Sequence, residues 1–121
     1  MRARTLVLAG STLLYLGLGC KPPQQYAWHN YEASLYKLAK DPSALDKYGA
    51  DLLDQIQAGE PTRRVPPGIY AEYGYFLLSN HRVKDAVAYF QKEKDRWPEA
   101  KVYMDLLIKR ALDPAIQGGK A

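Results

Sequence analysis

Apolar residues recur at intervals of three and four along most of the chain, which is the spacing of a helix with one buried face. This pattern predicts helices over about 28–39, 43–58, 69–78, 83–96 and 99–112. Consecutive helices joined by short turns pack as antiparallel hairpins. The sequence therefore predicts an all-α fold of about five helices, built as two antiparallel helical hairpins plus a capping helix.

Proline, glycine and aspartate mark the predicted helix ends. Asp41 precedes a proline, so it avoids helical backbone, and its carboxylate can cap the next helix. Gly59 is expected to stop the second helix by taking a positive φ. Pro98 ends the fourth helix. Asp113 and Pro114 end the fifth.

The same spacing predicts which side chains form the core. The candidates in the closing helix are Val102, Tyr103, Leu106 and Leu107, with Arg110 near the same face. The candidates in the other four helices are Tyr31, Leu35, Leu38, Leu45, Tyr48, Leu52, Leu53, Ile56, Ile69, Tyr70, Tyr73, Phe76, Leu77, Ala86, Val87, Phe90 and Trp97.

The N-terminal segment has the pattern of an export signal. Arg2 and Arg4 supply positive charge, and residues 5–18 form an apolar run that is shorter than the ~20 residues a membrane span needs. The chain's only cysteine, Cys20, follows directly after the small residue Gly19. We therefore expect residues 1–19 to be a signal peptide that is cleaved before Cys20.

Residues 17–20, Gly-Leu-Gly-Cys, resemble the lipobox of bacterial lipoproteins, although Gly17 stands where leucine is usual. The resemblance implies a covalent lipid on Cys20. An ordinary secretory signal with a coincidental cysteine, or an uncleaved anchor, are the alternatives. In Gram-negative lipoproteins an aspartate after the cysteine favours the inner membrane. Lys21 stands there instead, which implies a lipid anchor in the outer membrane with the protein facing the periplasm.

Cleavage changes the charge balance and leaves one small domain. Removing residues 1–19 would leave 102 of the 121 residues and lower the formal net charge from +4 to +2, so nucleic-acid binding is not expected. A single cysteine excludes an internal disulfide. Residues 20–25 are expected to be a Pro/Gln linker, 26–112 the helical domain and 113–121 a disordered tail.

Five residues of the second hairpin resemble the tetratricopeptide (TPR) repeat, a 34-residue pair of helices. They are Tyr70, Gly74, Ala86, Phe90 and Pro98. The resemblance implies that Gly74 and Ala86 let the two helices approach closely. Glu93 departs from the repeat, which has a small residue there, so looser packing against the next helix is expected. A generic helical hairpin is the alternative.

Catalytic and metal-binding patterns are missing from the sequence. It has no phosphate-binding glycine loop, no paired cysteines and no nucleophile motif, and His29 and His81 are far apart. We expect no enzyme, no metal and no cofactor other than the lipid. The adjacent Arg63 and Arg64 could meet a phosphate or a carboxylate, or could be solvated loop charges.

Tyrosine is unusually common, at ten residues against two phenylalanines. Tyrosine combines apolar area with a polar tip, which suits a surface that is wet until a partner arrives. The candidate partner-binding residues are Tyr36, Tyr73, Tyr75 and Tyr89. The alternative is that these tyrosines replace phenylalanine in a thin core.

Three segments resemble a small family of Gram-negative lipoproteins of unknown function: Tyr-x-Trp-x-x-Tyr at 26–31, the centre at 64–75 and Phe-x-x-Glu at 90–93. Genes of that family tend to lie beside curli-secretion-channel (CsgG-like) lipoproteins. The resemblance implies location and gene neighbourhood rather than a reaction. Together with the lipobox, the TPR-like spacing and the lack of catalytic motifs, it leads us to expect an interaction module that binds envelope proteins, with a curli-type secretion assembly as one candidate. A peptidoglycan-binding protein or regulator of cell-wall enzymes is the alternative.

Overall fold

A computed structural model describes residues 25–117 and shows an all-α fold, as predicted. Within these residues there is no β-strand. Residues 1–24, with the expected signal peptide, Cys20 and most of the linker, lie outside the described residues, as do residues 118–121. The helices are α1 Tyr31–Lys40, α2 Leu45–Gly59, α3 Ile69–Ser79, α4 Val83–Arg96, α5 Lys101–Leu112 and α6 Pro114–Gln117.

The helices pack in chain order, each of α1 to α5 on the next, and the α3–α4 contact is the most extensive. Burial of apolar side chains between these layers stabilises the fold. The buried core consists of Tyr48, Leu52, Ile56, Val65, Ile69, Tyr70, Ala71, Tyr73, Leu77, Ala86, Phe90, Met104, Leu107 and Ala111.

Helix α1 begins three residues later than predicted. His29 has a φ of 38°, which lies outside the helical region and prevents the helix from starting at Trp28. At the other end, the Asp41 carboxylate accepts a hydrogen bond from the Ser43 N–H at 2.9 Å. This cap starts a 3-10 turn at Pro42–Ala44, which leads into α2.

Helix α1 is held on α2 and α3 largely by polar contacts. Its only buried residue is Ser34, whose hydroxyl donates to the Asp51 carboxylate of α2 at 2.5 Å. Tyr31 and Leu38 are partly buried against the core, whereas Leu35, predicted to be a core residue, is exposed. The apolar spacing in this helix therefore identified the helix but misplaced part of its buried face.

Gly59 ends α2 by a different mechanism from the one predicted. Its φ is −86°, and the chain continues into a 3-10 turn at Glu60–Thr62 before Arg63 takes the left-handed conformation. A Cβ atom at Gly59 would lie 2.9 Å from the backbone nitrogen of Val65. Glycine is needed here because the chain folds back against α2, and the loop can then bury Val65.

The predicted core face of α5 is wrong in part: Leu107 is buried as predicted, but its predicted neighbours are not. Val102 is 84% exposed, and Tyr103 and Leu106 are also exposed, whereas Met104, Leu107 and Ala111 are buried. Apolar residues of α5 occur on more than one side of the helix, so its sequence alone is compatible with more than one buried face. Packing against α4 selects the face with Met104 at its centre, since only that face meets the core.

Both phenylalanines lie against helix glycines. A Cβ atom at Gly74 in α3 would lie 2.6 Å from the Phe90 ring of α4, and one at Gly49 in α2 would overlap the tip of the Phe76 ring. Close approach at Gly74 was predicted, although its nearest neighbour is Phe90. Gly49 was not identified from the sequence.

The other residues of the repeat resemblance occupy the second hairpin as follows. Tyr70 and Ala86 are buried, on α3 and α4 respectively. Pro98 is exposed and begins the 3-10 turn Pro98–Ala100 after α4. Together with Gly74 and Phe90, the two buried residues contribute to the α3–α4 contact.

Glu93 of α4 is buried, with 3% of its surface exposed, and its carboxylate lies at the start of α3. Its Oε1 accepts a hydrogen bond from the Gly68 N–H at 2.7 Å. Desolvation by burial raises the pKa of the Glu93 carboxyl, while the N–H groups of Gly68, Ala71 and Tyr70 act in the opposite direction. A side chain of α4 thus caps α3, in place of the looser packing expected at this position.

The described part of the predicted disordered tail, residues 113–117, is largely helical. Pro114–Gln117 forms the short helix α6. Asp113 caps it, because its carboxylate accepts from the Ala115 N–H at 2.9 Å. Proline suits the first helical position, where its missing N–H is not needed.

Candidate functional site

An apolar groove of about 370 Å³ lies between the beginning of α2 and the end of α3. We call it the α2–α3 groove. Nearly all of its surface is carbon, with an aromatic floor and one carboxylate beneath it. The residues that line it are Leu45, Tyr48, Glu72, Tyr75, Phe76 and Ser79.

Gly49 sets the position of the groove's floor. The Phe76 ring lies over the Gly49 backbone, in the space that any larger side chain would occupy. The ring is partly buried, and it stacks on Tyr73 with a centroid distance of 5.8 Å. The Phe76 ring is therefore held between two helices, and one side of it faces the groove.

The Glu72 carboxylate joins three helices beneath the groove. Its Oε1 accepts from the Tyr31 hydroxyl of α1 at 2.6 Å, and its Oε2 accepts from the Tyr48 hydroxyl of α2. Two phenol donors satisfy a half-buried carboxylate without a cation. The cluster fixes α1 and α2 relative to α3, so it defines the shape of the groove.

This cluster predicts a loss of stability at alkaline pH. Burial and the bond to Glu72 raise the pKa of Tyr31 to about 12 and raise that of Tyr48 further. An unfolded tyrosine ionises near pH 10, so above that pH the unfolded chain loses protons that the folded chain keeps. We expect the stabilisation to be complete below pH 10 and to decline as the pH rises towards these raised values.

Urea unfolding at pH 8, 10 and 11 measures this effect, with Tyr48→Phe as the matched comparison. The wild-type unfolding free energy should fall faster than that of the variant, by up to about 1.4 kcal/mol for each pH unit. Parallel curves for the two proteins would show that Tyr48 ionises equally easily in both states.

Tyr75 forms one edge of the groove and is hydrogen-bonded to Tyr103 of α5. Their hydroxyls are 2.9 Å apart and connect α3 to α5. The Tyr75 ring also packs edge-on against Phe90, with 5.6 Å between centroids. Tyr103 lies one helical turn from Leu106, which in turn lies one turn from Val102, so the three side chains share a face of α5. We call these three exposed residues the α5 strip.

The four candidate partner-binding tyrosines do not form one surface. Tyr73 is buried rather than at the surface: it is 6% exposed, and its ring packs on Tyr89 and Phe76 at the α3–α4 interface. Tyr89 is half-buried there, with the Lys92 ammonium 5.0 Å from its ring. Tyr36 is 64% exposed on α1, away from the groove lining. Only Tyr75, 43% exposed, lines the groove.

Sequence reasoning missed Leu45 and Glu72 as groove residues. The apolar spacing predicts Leu45 in the core, but its side chain is exposed, and no pattern in the sequence distinguishes Glu72. Both lie at helical positions that also fit ordinary structural roles, so the sequence contains no signal that distinguishes them. Their role depends on how α2 and α3 meet, and only the structure gives that arrangement.

The described residues show no cluster suited to a metal ion. Within 25–117, no three side chains of histidine, cysteine, aspartate or glutamate lie close enough to share one. No helix in the same part of the chain is long and apolar enough to cross a membrane.

These features define an all-α domain of helical hairpins with an apolar surface groove and a hydrogen-bonded tyrosine–glutamate cluster below it. The model of the DUF4810 family, a domain of unknown function, matches residues 25–107, and the chain belongs to that family. Neither the curated proteins nor the solved structures include a match to this chain. The match spans α1 to α4 and most of α5.

Proposed function

We propose that this protein is an outer-membrane lipoprotein that binds envelope proteins through the α2–α3 groove and the α5 strip. In this proposal the TPR-like hairpins display the groove, and the partner is a protein of a curli-type secretion assembly. The observation that carries the proposal is the apolar groove, whose edge Tyr75 is hydrogen-bonded to Tyr103 of the α5 strip.

The chemistry of the groove supports a protein partner more than a reaction. It offers carbon surface and aromatic rings, which bind the apolar side chains of a partner helix or extended segment. Terminal helices of stacked hairpins usually present a polar outer face. The outer face of α5 has exposed Val102 and Leu106 instead, which suits a surface that a partner covers.

Attachment is the second part of the proposal. A lipid on Cys20 would hold the protein at the inner face of the outer membrane, where envelope partners are accessible. Cys20→Ser should abolish incorporation of labelled palmitate and release the protein from membranes. Labelling that persists in this variant would contradict lipid attachment at Cys20.

Site-specific photo-crosslinking in cells tests the binding surface. A photoreactive residue is placed at Leu45 in the groove, at Leu106 in the strip, or at Leu112. Leu112 is also exposed but lies roughly 120° around α5 from Leu106. We expect adducts with a CsgG-like secretion lipoprotein from positions 45 and 106, and none from position 112.

Charge substitutions measure the strength of the same contact. Leu45→Glu and Leu106→Glu would bury a carboxylate against the partner, and each should weaken co-purification by roughly tenfold or more. Leu112→Glu makes the same charge change outside the proposed binding surface, and this variant should bind normally. Equal binding by all three variants would reject the surface, and retention on purified peptidoglycan would favour the cell-wall alternative.

A further inference from the structure

The first described residues show where the N-terminal segment leaves the domain. The Tyr26 ring packs edge-on against Trp97 at the end of α4, with 5.7 Å between centroids. The Ala27 N–H donates to the Arg64 carbonyl at 2.9 Å, and Gln55 Nε2 donates to the Ala27 carbonyl at 3.2 Å. The described part of the chain therefore begins beside the 60–68 loop.

Several basic residues lie on the loop and on the end of α4 beside this point. Arg63 and Arg64 are exposed on the loop. Arg96 of α4 donates from Nη2 to the Arg63 carbonyl at 2.8 Å, and its guanidinium lies 5.0 Å from the Trp97 ring. With Lys92, these residues form what we call the basic patch.

Arg63, Lys92 and Arg96 line a cleft of about 410 Å³ within the patch. Two carboxylates line the same cleft and reduce its charge: Glu60 pairs with Lys92 at 2.7 Å, and Asp95 accepts from Gln91. The arginines supply the remaining positive charge. Arginine suits a phosphate partner, because its planar guanidinium can bind two phosphate oxygens at once.

We propose that the basic patch binds the phosphate groups of anionic phospholipids, such as phosphatidylglycerol, in the membrane that holds Cys20. This inference rests on the lipid attachment proposed above. Five residues separate Cys20 from Tyr26, so an extended chain would place Tyr26, beside the patch, no further than about 20 Å from Cys20. Basic residues are attracted to an anionic surface within about 10 Å.

The tether makes a modest patch sufficient. A lipid on Cys20 would keep the arginines next to the headgroups at high effective concentration, so weak contacts can orient the domain. The groove lies at the other end of the helices, since Leu45 begins α2 and Ser79 ends α3. Ser79 is about 15 Å from the loop end of α3. Binding through the patch would therefore turn the groove away from the membrane.

Energy transfer from the protein to the bilayer tests this orientation. The processed protein is purified from membranes of cells that express the full chain. Cys20 is the only cysteine, and its thiol would be blocked by the lipid. Thr62→Cys beside the patch, or Ser79→Cys at the far end, therefore gives one reactive thiol for a donor dye. Vesicles contain phosphatidylcholine with or without phosphatidylglycerol, and a headgroup-labelled lipid is the acceptor.

In vesicles with phosphatidylglycerol, transfer from position 62 should exceed transfer from position 79. The difference should be lost in phosphatidylcholine alone, at high salt, and in the double variant Arg63→Glu/Arg64→Glu. Lys84→Glu/Lys109→Glu makes the same charge change at exposed sites away from the loop and should retain the difference. Thermal unfolding confirms that each variant is folded.

Equal transfer from both positions, or a difference that survives reversal of the two arginines, would overturn the basic-patch proposal. Flotation separates this outcome from failure of the anchor. Protein that floats with phosphatidylcholine vesicles carries a working anchor. Protein that floats only with phosphatidylglycerol lacks the anchor but supports the patch, and protein that floats with neither overturns both.

Discussion

Replacing Phe90 with alanine is expected to lower the free energy of unfolding by about 3–5 kcal/mol. The Phe90 ring is fully buried between α3 and α4, against the Gly74 backbone and the Tyr75 ring. The alanine side chain is too small to fill the space of the ring, so the variant keeps a cavity. The expected loss is a large part of the ~5–15 kcal/mol that stabilises a typical domain. Urea unfolding followed by circular dichroism measures it.

A double-mutant cycle shows whether the Gly74 contact causes part of this effect. Gly74→Ala places a methyl group against the Phe90 ring and should cost about 1–3 kcal/mol, despite the better helix propensity of alanine. Phe90→Leu should relieve that cost when the two changes are combined. Phe76→Leu removes the other phenylalanine, and its effect should add to that of Gly74→Ala. Additivity in both cycles would reject the contact.

Replacing Glu93 with alanine should cost about 2–3 kcal/mol, because buried N–H groups at the start of α3 lose their acceptor. Glu93→Gln keeps an acceptor for Gly68 and removes a buried charge, so it should remain close to wild type at pH 7. Urea unfolding of the three proteins at pH 7 tests this order. Equal losses in Glu93→Ala and Glu93→Gln would mean that charge, rather than capping, matters.

The pH dependence of the same pair follows from the raised pKa of Glu93. A glutamate in the unfolded chain titrates near pH 4.3. As the pH falls from 7, the Glu93 carboxyl therefore takes up its proton in the folded protein before it does so in the unfolded chain. Wild type should therefore gain stability relative to Glu93→Gln between the folded pKa and about pH 4. A constant difference between the two proteins over that range would show that the folded carboxyl titrates normally.

The elements that depend on local signals were predicted well from the sequence. Helix α4 has the predicted bounds, because the turn before Val83 and the proline after Trp97 are encoded in neighbouring residues. The Asp41 cap is local in the same sense, since its carboxylate binds the N–H two residues ahead. Such features depend on a few adjacent side chains and therefore appear in a single sequence.

Features that depend on distant contacts could not be predicted. Glu93 occupies an apolar face and suggested loose packing, yet it caps a helix that begins 24 positions earlier. The buried face of α5 depends on α4, because apolar residues occur on more than one side of α5. The groove forms only because Leu45 of α2 and Phe76 of α3, which are distant in the sequence, come together in the fold. Its edge tyrosine, Tyr75, was among the candidates, whereas Tyr73 belongs to the core.

The contacts of Tyr26 and Ala27 also have a mechanical consequence. Tension on the chain before residue 25 would reach the fold first at Trp97 and Arg64. Helix α1 comes later along the chain, and Ser34 is its only buried residue, so the contacts of Tyr26 and Ala27 keep a pull from acting on α1 directly. The contacts of Tyr26 and Ala27 instead transmit the force to the 60–68 loop, which Val65 anchors in the core. Force applied at the N-terminal end of the described domain would therefore act on the core before it acts on α1.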